Sequence, residues 1–173
     1  SRSGYAAFVY RSEAYLRDDS EFDDRIVIEF DVDDGEYRDL VYSAFPAYVE
    51  GFRPYRAVIN LDEDLALDDW DVIARECRKG AGDIDGRDGV FRIGPVSFFD
   101  EELCKRAFRM KPSEVASRLQ GSVEYLSLQN GGILIVVTAR LLARTELEAV
   151  DKAVRRQLQG NSSASPVLTP GTR

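Results

Sequence analysis

Apolar and polar positions alternate most legibly towards the C-terminus. Val123-Glu124-Tyr125-Leu126-Ser127-Leu128-Gln129 has period two, with Val123, Tyr125, Ser127 and Gln129 on one side and Glu124, Leu126 and Leu128 on the other. Asn130-Gly131 follows, and both residues tolerate the positive φ of a type I′ turn, so a hairpin is predicted. Ile133 to Val137 is an unbroken run of Leu and β-branched residues, the pattern of a strand covered on both faces near the centre of a sheet. Thr145 and Glu148 have capping-box spacing, and Leu147, Val150, Val154 and Leu158 then recur at helical intervals. A hairpin followed by a covering helix is therefore expected.

The rest of the chain supplies further elements. Gly4 to Tyr10 reads as a first strand. Arg25 to Val32 alternates as a half-buried second strand, with Ile26, Ile28, Phe30 and Val32 on one face. Asp33-Asp34-Gly35 carries turn and helix-cap chemistry. Tyr37 to Phe52 is a helical stretch that Pro46, lacking an amide hydrogen, should kink or split. Tyr55 to Leu61 is a strand. Asp68 should cap a helix whose buried stripe is Trp70, Ile73, Ala74 and Cys77 and which ends at Gly80. Val90 to Ile93 reads as a short strand, Asp100 should cap a helix through Phe108, and Pro112 should open another through Leu119. Gly160 to Arg173 is rich in Ser, Pro, Gly and Thr without an apolar period, and is expected to be a disordered tail.

The interleaved order predicts an α+β fold. A single domain over residues 1–159 is expected, with a mostly antiparallel or mixed sheet of five to six strands and helices packed largely on one face. The chain has 173 residues, 44% hydrophobic and 31% charged, enough for one real core. No apolar run approaches the roughly 20 residues that span a bilayer. No secretory pattern opens at Ser1-Arg2-Ser3. A cytoplasmic location is the expectation.

Charge and residue type narrow the chemistry. The chain has no histidine, which excludes Ser-His-Asp and Cys-His triads, HExxH zinc sites and histidine general bases. Cys77 and Cys104 stand in no CxxC motif and are read as buried free thiols. Net charge is −8 but uneven: residues 1–100 carry −12 and residues 101–173 carry +4. Such a protein repels phosphate backbones and attracts a basic protein partner. Asp83 to Gly89 superficially suggests a calcium loop, yet Arg87 and Asp88 fall where an EF-hand needs a ligand and a glycine.

Carboxylates gather at the ends of two predicted strands, Asp31, Asp33 and Asp34 after one, and Asp62, Glu63 and Asp64 after the other, with Asp68 and Asp69 beyond. Three readings stand: a recognition face for a basic partner, a hard-cation site for a metal-dependent hydrolase, or solvated caps. The cation reading lacks a companion phosphate cradle or P-loop lysine, so no cofactor is assigned. Pairing of a sheet edge or helix face with a second copy, as in a structural or regulatory subunit, is a further alternative.

Phe98-Phe99-Asp100-Glu101-Glu102-Leu103-Cys104, then Met110-Lys111-Pro112-Ser113-Glu114-Val115, then Gly132-Ile133-Leu134-Ile135-Val136-Val137-Thr138 and the closing helix to Leu158 together resemble the C-terminal half of small bacterial immunity proteins. These are cytoplasmic antidotes encoded beside polymorphic or type VI secreted toxins. The resemblance covers about a third of the chain. It implies a single α+β domain without catalysis that binds a cognate toxin and occludes its active site. It carries over no functional residues.

Overall fold

The computed structural model describes residues 2–10, 24–61, 90 and 92–159. Among these, six strands form one antiparallel sheet: β1 (Arg2–Tyr10), β2 (Asp24–Val32), β3 (Arg56–Asn60), β4 (Val96–Phe99), β5 (Tyr125–Gln129) and β6 (Gly132–Val136), in the order β2-β1-β3-β4-β6-β5. The predicted C-terminal hairpin is present. Asn130 and Gly131 have φ of 50° and 73°, the two positive values a type I′ turn requires, and Gln129 pairs with Gly132. The strand expected near the sheet centre is interior but lies one place in from the edge, between β4 and the edge strand β5, and all five of its residues are buried because helices cover both faces there.

Period-two alternation assigns each face a core. Phe8, Ala57, Ile59, Val96, Phe98, Leu134 and Val136 point to one side, where Tyr37, Val41, Phe45 and Val49 cover them. These come from α1 (Asp34–Asp39), a π-helical turn (Leu40–Ala44) and α2 (Phe45–Phe52), one continuous rod. The opposite face, with Phe99, Ile133 and Ile135, packs against Leu103, Cys104, Val115, Leu119, Val154 and Leu158. Those residues belong to α3 (Glu101–Leu103) with its π-helical continuation Cys104–Phe108, to α4 (Pro112–Leu119) and to the later turns of α5 (Arg144–Gln159). Helices thus cover both faces rather than largely one: the α1–α2 rod lies on one side, α3 and α4 on the other, and α5 contributes Leu147 and Val150 to the first core and Val154 and Leu158 to the second.

Three local details differ from the sequence expectation. The fourth strand is Val96–Phe99, not Val90 to Ile93; Val90 and Ile93 are buried but outside any strand. Pro46 does not break the rod. The π-helical turn lies just ahead of it, and Phe45 donates its amide to the Leu40 carbonyl five residues back. That one-residue expansion absorbs the defect at proline. The last helix is capped two residues earlier than Thr145 and Glu148 imply: the Ala143 amide donates to Glu146 Oε2 at 2.8 Å. The predicted Leu147, Val154 and Leu158 stripe is buried, with Val150 partly so. Asp100 and Pro112 start helices as expected. The predicted Asp68 helix, the Asp83 loop, Cys77 and the 160–173 tail lie outside the described residues.

Candidate functional site

The side chains best placed to meet another molecule lie along the α1–α2 rod and where it meets the start of β5. Asp33 begins the rod. Its Oδ1 accepts from the amides of Gly35 and Glu36 at 2.9 and 3.0 Å, while Glu36 Oε2 accepts from the Asp33 amide at 3.0 Å, a reciprocal cap. Asp34, Glu36 and Asp39 keep this end acidic and exposed. The rod's outer side then presents Tyr42, Tyr48 and Phe52, each more than a third exposed, while Tyr37, Phe45 and Val49 are fully buried beneath. Tyr48 and Phe52 stack at 5.7 Å between ring centres, and both edge onto buried Phe8.

A polar knot fixes Tyr42. Its hydroxyl donates to Glu124 Oε2 at 3.2 Å, and its ring meets that of Tyr125 edge-on at 5.9 Å, interplanar angle 82°. The Arg38 guanidinium lies 5.6 Å from the Tyr42 ring centre. Glu124 also accepts from the Thr138 hydroxyl at 2.6 Å and from the Ala139 amide at 2.9 Å. One carboxylate therefore ties together the rod, the entry to β5 and the segment leaving β6. Burial alone would raise the Glu124 pKa, but the bonds from Thr138, Ala139 and Tyr42, with Arg38 nearby, hold it below its ordinary value. The Tyr42 hydroxyl is pushed up, first by burial and then by Glu124. The Tyr37 hydroxyl is buried with no hydrogen-bond partner, and burial, reinforced by Glu124, raises its pKa strongly.

The sequence-predicted acids divide. Asp31 is exposed on β2, on the side opposite Phe30 and Val32; Asp33 is committed to the helix cap; Asp34 is exposed in the first turn. Asp62, Glu63, Asp64, Asp68 and Asp69 lie outside the described residues. The strands they follow, β2 and β3, are not neighbours, because β1 runs between them. Among the described residues no group of three or more Asp, Glu or Cys is placed to hold a metal ion. No helix of the described residues is long and apolar enough to cross a membrane.

Sequence reasoning missed Glu124, Thr138 and Arg38. The bonds of Glu124 to Thr138 and Tyr42 span 14 and 82 positions along the chain, and no motif spacing announces them; Arg38 meets Tyr42 one helical turn away. The available signal was Glu124 itself, a lone acid at the start of an otherwise uncharged strand. Cys104 is buried, and burial, with Asp100 and Glu101 nearby, pushes its thiol up to about 12, which makes it a core residue rather than a nucleophile. The chain matches no family model, no curated protein and no solved structure.

Proposed function

We propose that the protein is a non-enzymatic binding protein, an immunity protein that neutralises a cognate bacterial toxin in the cytoplasm by direct contact, as polymorphic-toxin and type VI antidotes do. The observation that carries this reading is the α1–α2 rod, whose acidic first turn leads into an exposed row of Tyr42, Tyr48 and Phe52 joined by Tyr125. Aromatic side chains supply large contact area at small entropic cost and dominate binding hot spots. The acids, Asp31, Asp33 and Asp34 together with the 62–69 segment, steer a basic partner to that row. The partner in this reading is one basic protein, with no nucleic acid and no cofactor involved.

Co-expression with the product of the adjacent gene tests it. Survival of the host and a complex measurable by calorimetry are the expected results. Tyr48→Ala and Tyr125→Ala should each weaken that complex by at least about tenfold, the scale of a hot-spot residue. Asp34→Asn should slow association and flatten its salt dependence. If the neighbouring product is harmless and does not bind, the reading fails.

A further inference from the structure

The two edges of the sheet are unlike. β2 carries exposed Arg25, Glu29 and Asp31, and charge of this kind blunts an edge against pairing. β5, Tyr-Leu-Ser-Leu-Gln, carries no charge in a chain that is 31% charged, and it holds no proline. Its Leu128 is 57% exposed and its Tyr125 44%, and among the described residues no strand pairs with this edge.

The hairpin fixes which β5 groups are free. In a two-residue turn the flanking residues, Gln129 and Gly132, exchange hydrogen bonds, and the bonded positions alternate back along the strand. Tyr125, Ser127 and Gln129 therefore point their amides and carbonyls at β6. Leu126 and Leu128 point theirs outward.

We propose that β5 pairs antiparallel with β5 of a second copy of this chain, about a two-fold axis through Ser127, to continue the sheet across a homodimer. The strand is self-complementary in this register. Leu126 of one copy faces Leu128 of its partner, and their outward groups exchange four backbone hydrogen bonds in all. The leucine side chains meet on the face that carries α4, and Tyr125 faces Gln129 on the other. Glu124 comes to the Asn130-Gly131 turn of the other copy, so no like charges meet. The seam is also uncharged in a chain of net charge −8. Arg118 of α4 reaches the Leu158 carbonyl on α5, which leaves Ser113, Ala116 and Gln120, all uncharged, on the flank of α4 turned away from α5. A neutral, symmetric edge gives a basic partner nothing to select; it fits a copy of itself. The proposal does not rest on the toxin reading, which uses the rod and shares only Tyr125 with this seam.

Sedimentation velocity on the full chain, from micromolar to millimolar, tests the proposal. A monomer–dimer equilibrium is expected. It should tighten with added salt, because screening weakens repulsion between two acidic copies. Leu128→Pro removes an outward amide that the monomer leaves unused, and should weaken the dimer at least about tenfold, because two intermolecular hydrogen bonds go. Ser127→Cys places two thiols at a non-bonded antiparallel pair, about 4.5 Å between Cα atoms, inside the range a disulfide spans. It should cross-link rapidly through that residue, as peptide mapping would show, whereas Leu128→Cys should not. In the wild-type chain the Leu126 and Leu128 amides should gain exchange protection as concentration rises. A chain that stays monomeric throughout overturns the proposal. So does a dimer in which Leu128→Cys links as fast as Ser127→Cys, or protection of β5 amides that appears only when another protein is added.

Discussion

Removing the Glu124 carboxylate should loosen the whole end of the molecule where rod, hairpin and β6 exit meet. The cost follows from its three partners. The Ala139 amide, 2.9 Å from Oε2, sits in a residue only 2% exposed, and without an acceptor it loses about 1–3 kcal/mol. The Thr138 hydroxyl, 2.6 Å from Oε1, is also buried but can rotate to another acceptor, so it adds about 0.5–1 kcal/mol. Tyr42 is exposed and water replaces its bond, which adds little. Glu124→Ala should therefore cost about 2–3 kcal/mol, a fall of about 5–10 °C in Tm for a chain of this length. Glu124→Gln keeps an acceptor for Ala139 and should cost about 1 kcal/mol. The pKa is lowered, so the charged-state contribution is present above the ordinary carboxyl value of 4.5 and is lost as pH falls below it through the folded value. Urea denaturation of wild type and Glu124→Gln at pH 7 and pH 3 reads this directly: the gap between them should shrink at pH 3. A Glu124→Ala cost under about 0.5 kcal/mol, or a gap independent of pH, would refute the account.

Four further outcomes are expected. Gly132→Ala puts a Cβ 2.3 Å from the Phe99 carbonyl oxygen and 2.6 Å from the Phe98 ring, so the β4–β6 pairing must shift; a loss of about 3 kcal/mol or more in chemical denaturation is expected. Phe45→Ala empties a fully buried site against Phe8, whose ring centre lies 5.3 Å away, and should cost about 3–5 kcal/mol by the same measurement. Arg53, exposed at the end of α2 with φ of 48°, occupies the left-handed region, and Arg53→Gly should raise stability by about 0.5–1 kcal/mol in a thermal melt. Cys104 should resist iodoacetamide at pH 8 in the native state, because its thiol titrates at about 12, and react once the chain is unfolded; mass spectrometry of the labelled peptide decides.

What was legible in the sequence is what local chemistry decides. Asn130-Gly131 marks its turn because few residues accept two positive φ values in succession, and the Leu147-to-Leu158 stripe marks its helix because one face of α5 is buried. Pro112 opens α4 where its missing amide is not needed. Val96–Phe99 escaped notice because it is buried on both faces, which erases alternation, and because Gly94-Pro95 before it resembles a terminator. Gly94 instead marks close approach: a Cβ there would lie 2.7 Å from a Val58 methyl, and its amide bonds to the Ser97 hydroxyl at 3.1 Å. Val90 and Ile93 looked like a strand because they are core residues, but their burial is achieved in irregular chain, with the Ile93 amide held by Asp151 of α5 at 2.7 Å.

The candidate site was half legible for the same reason. The aromatic content of residues 37–52 and the acidity of residues 31–34 are visible in any reading of the chain, but which aromatics face outward follows from the widened turn just ahead of Pro46. A regular helix would need an amide at that position. The chain answers with one widened turn, Leu40–Ala44, that lengthens the spacing between Tyr37 and Phe45 by a residue relative to the helical repeat. Both of those rings remain buried, above Phe30 and against Phe8, while Tyr42, inside the expansion, is left on the outer side within reach of Glu124 and Tyr125. A proline that reads as a helix breaker is here the residue around which the exposed tyrosine is set. Its effect passes through the Phe45-to-Leu40 hydrogen bond, a backbone contact that composition and charge do not encode.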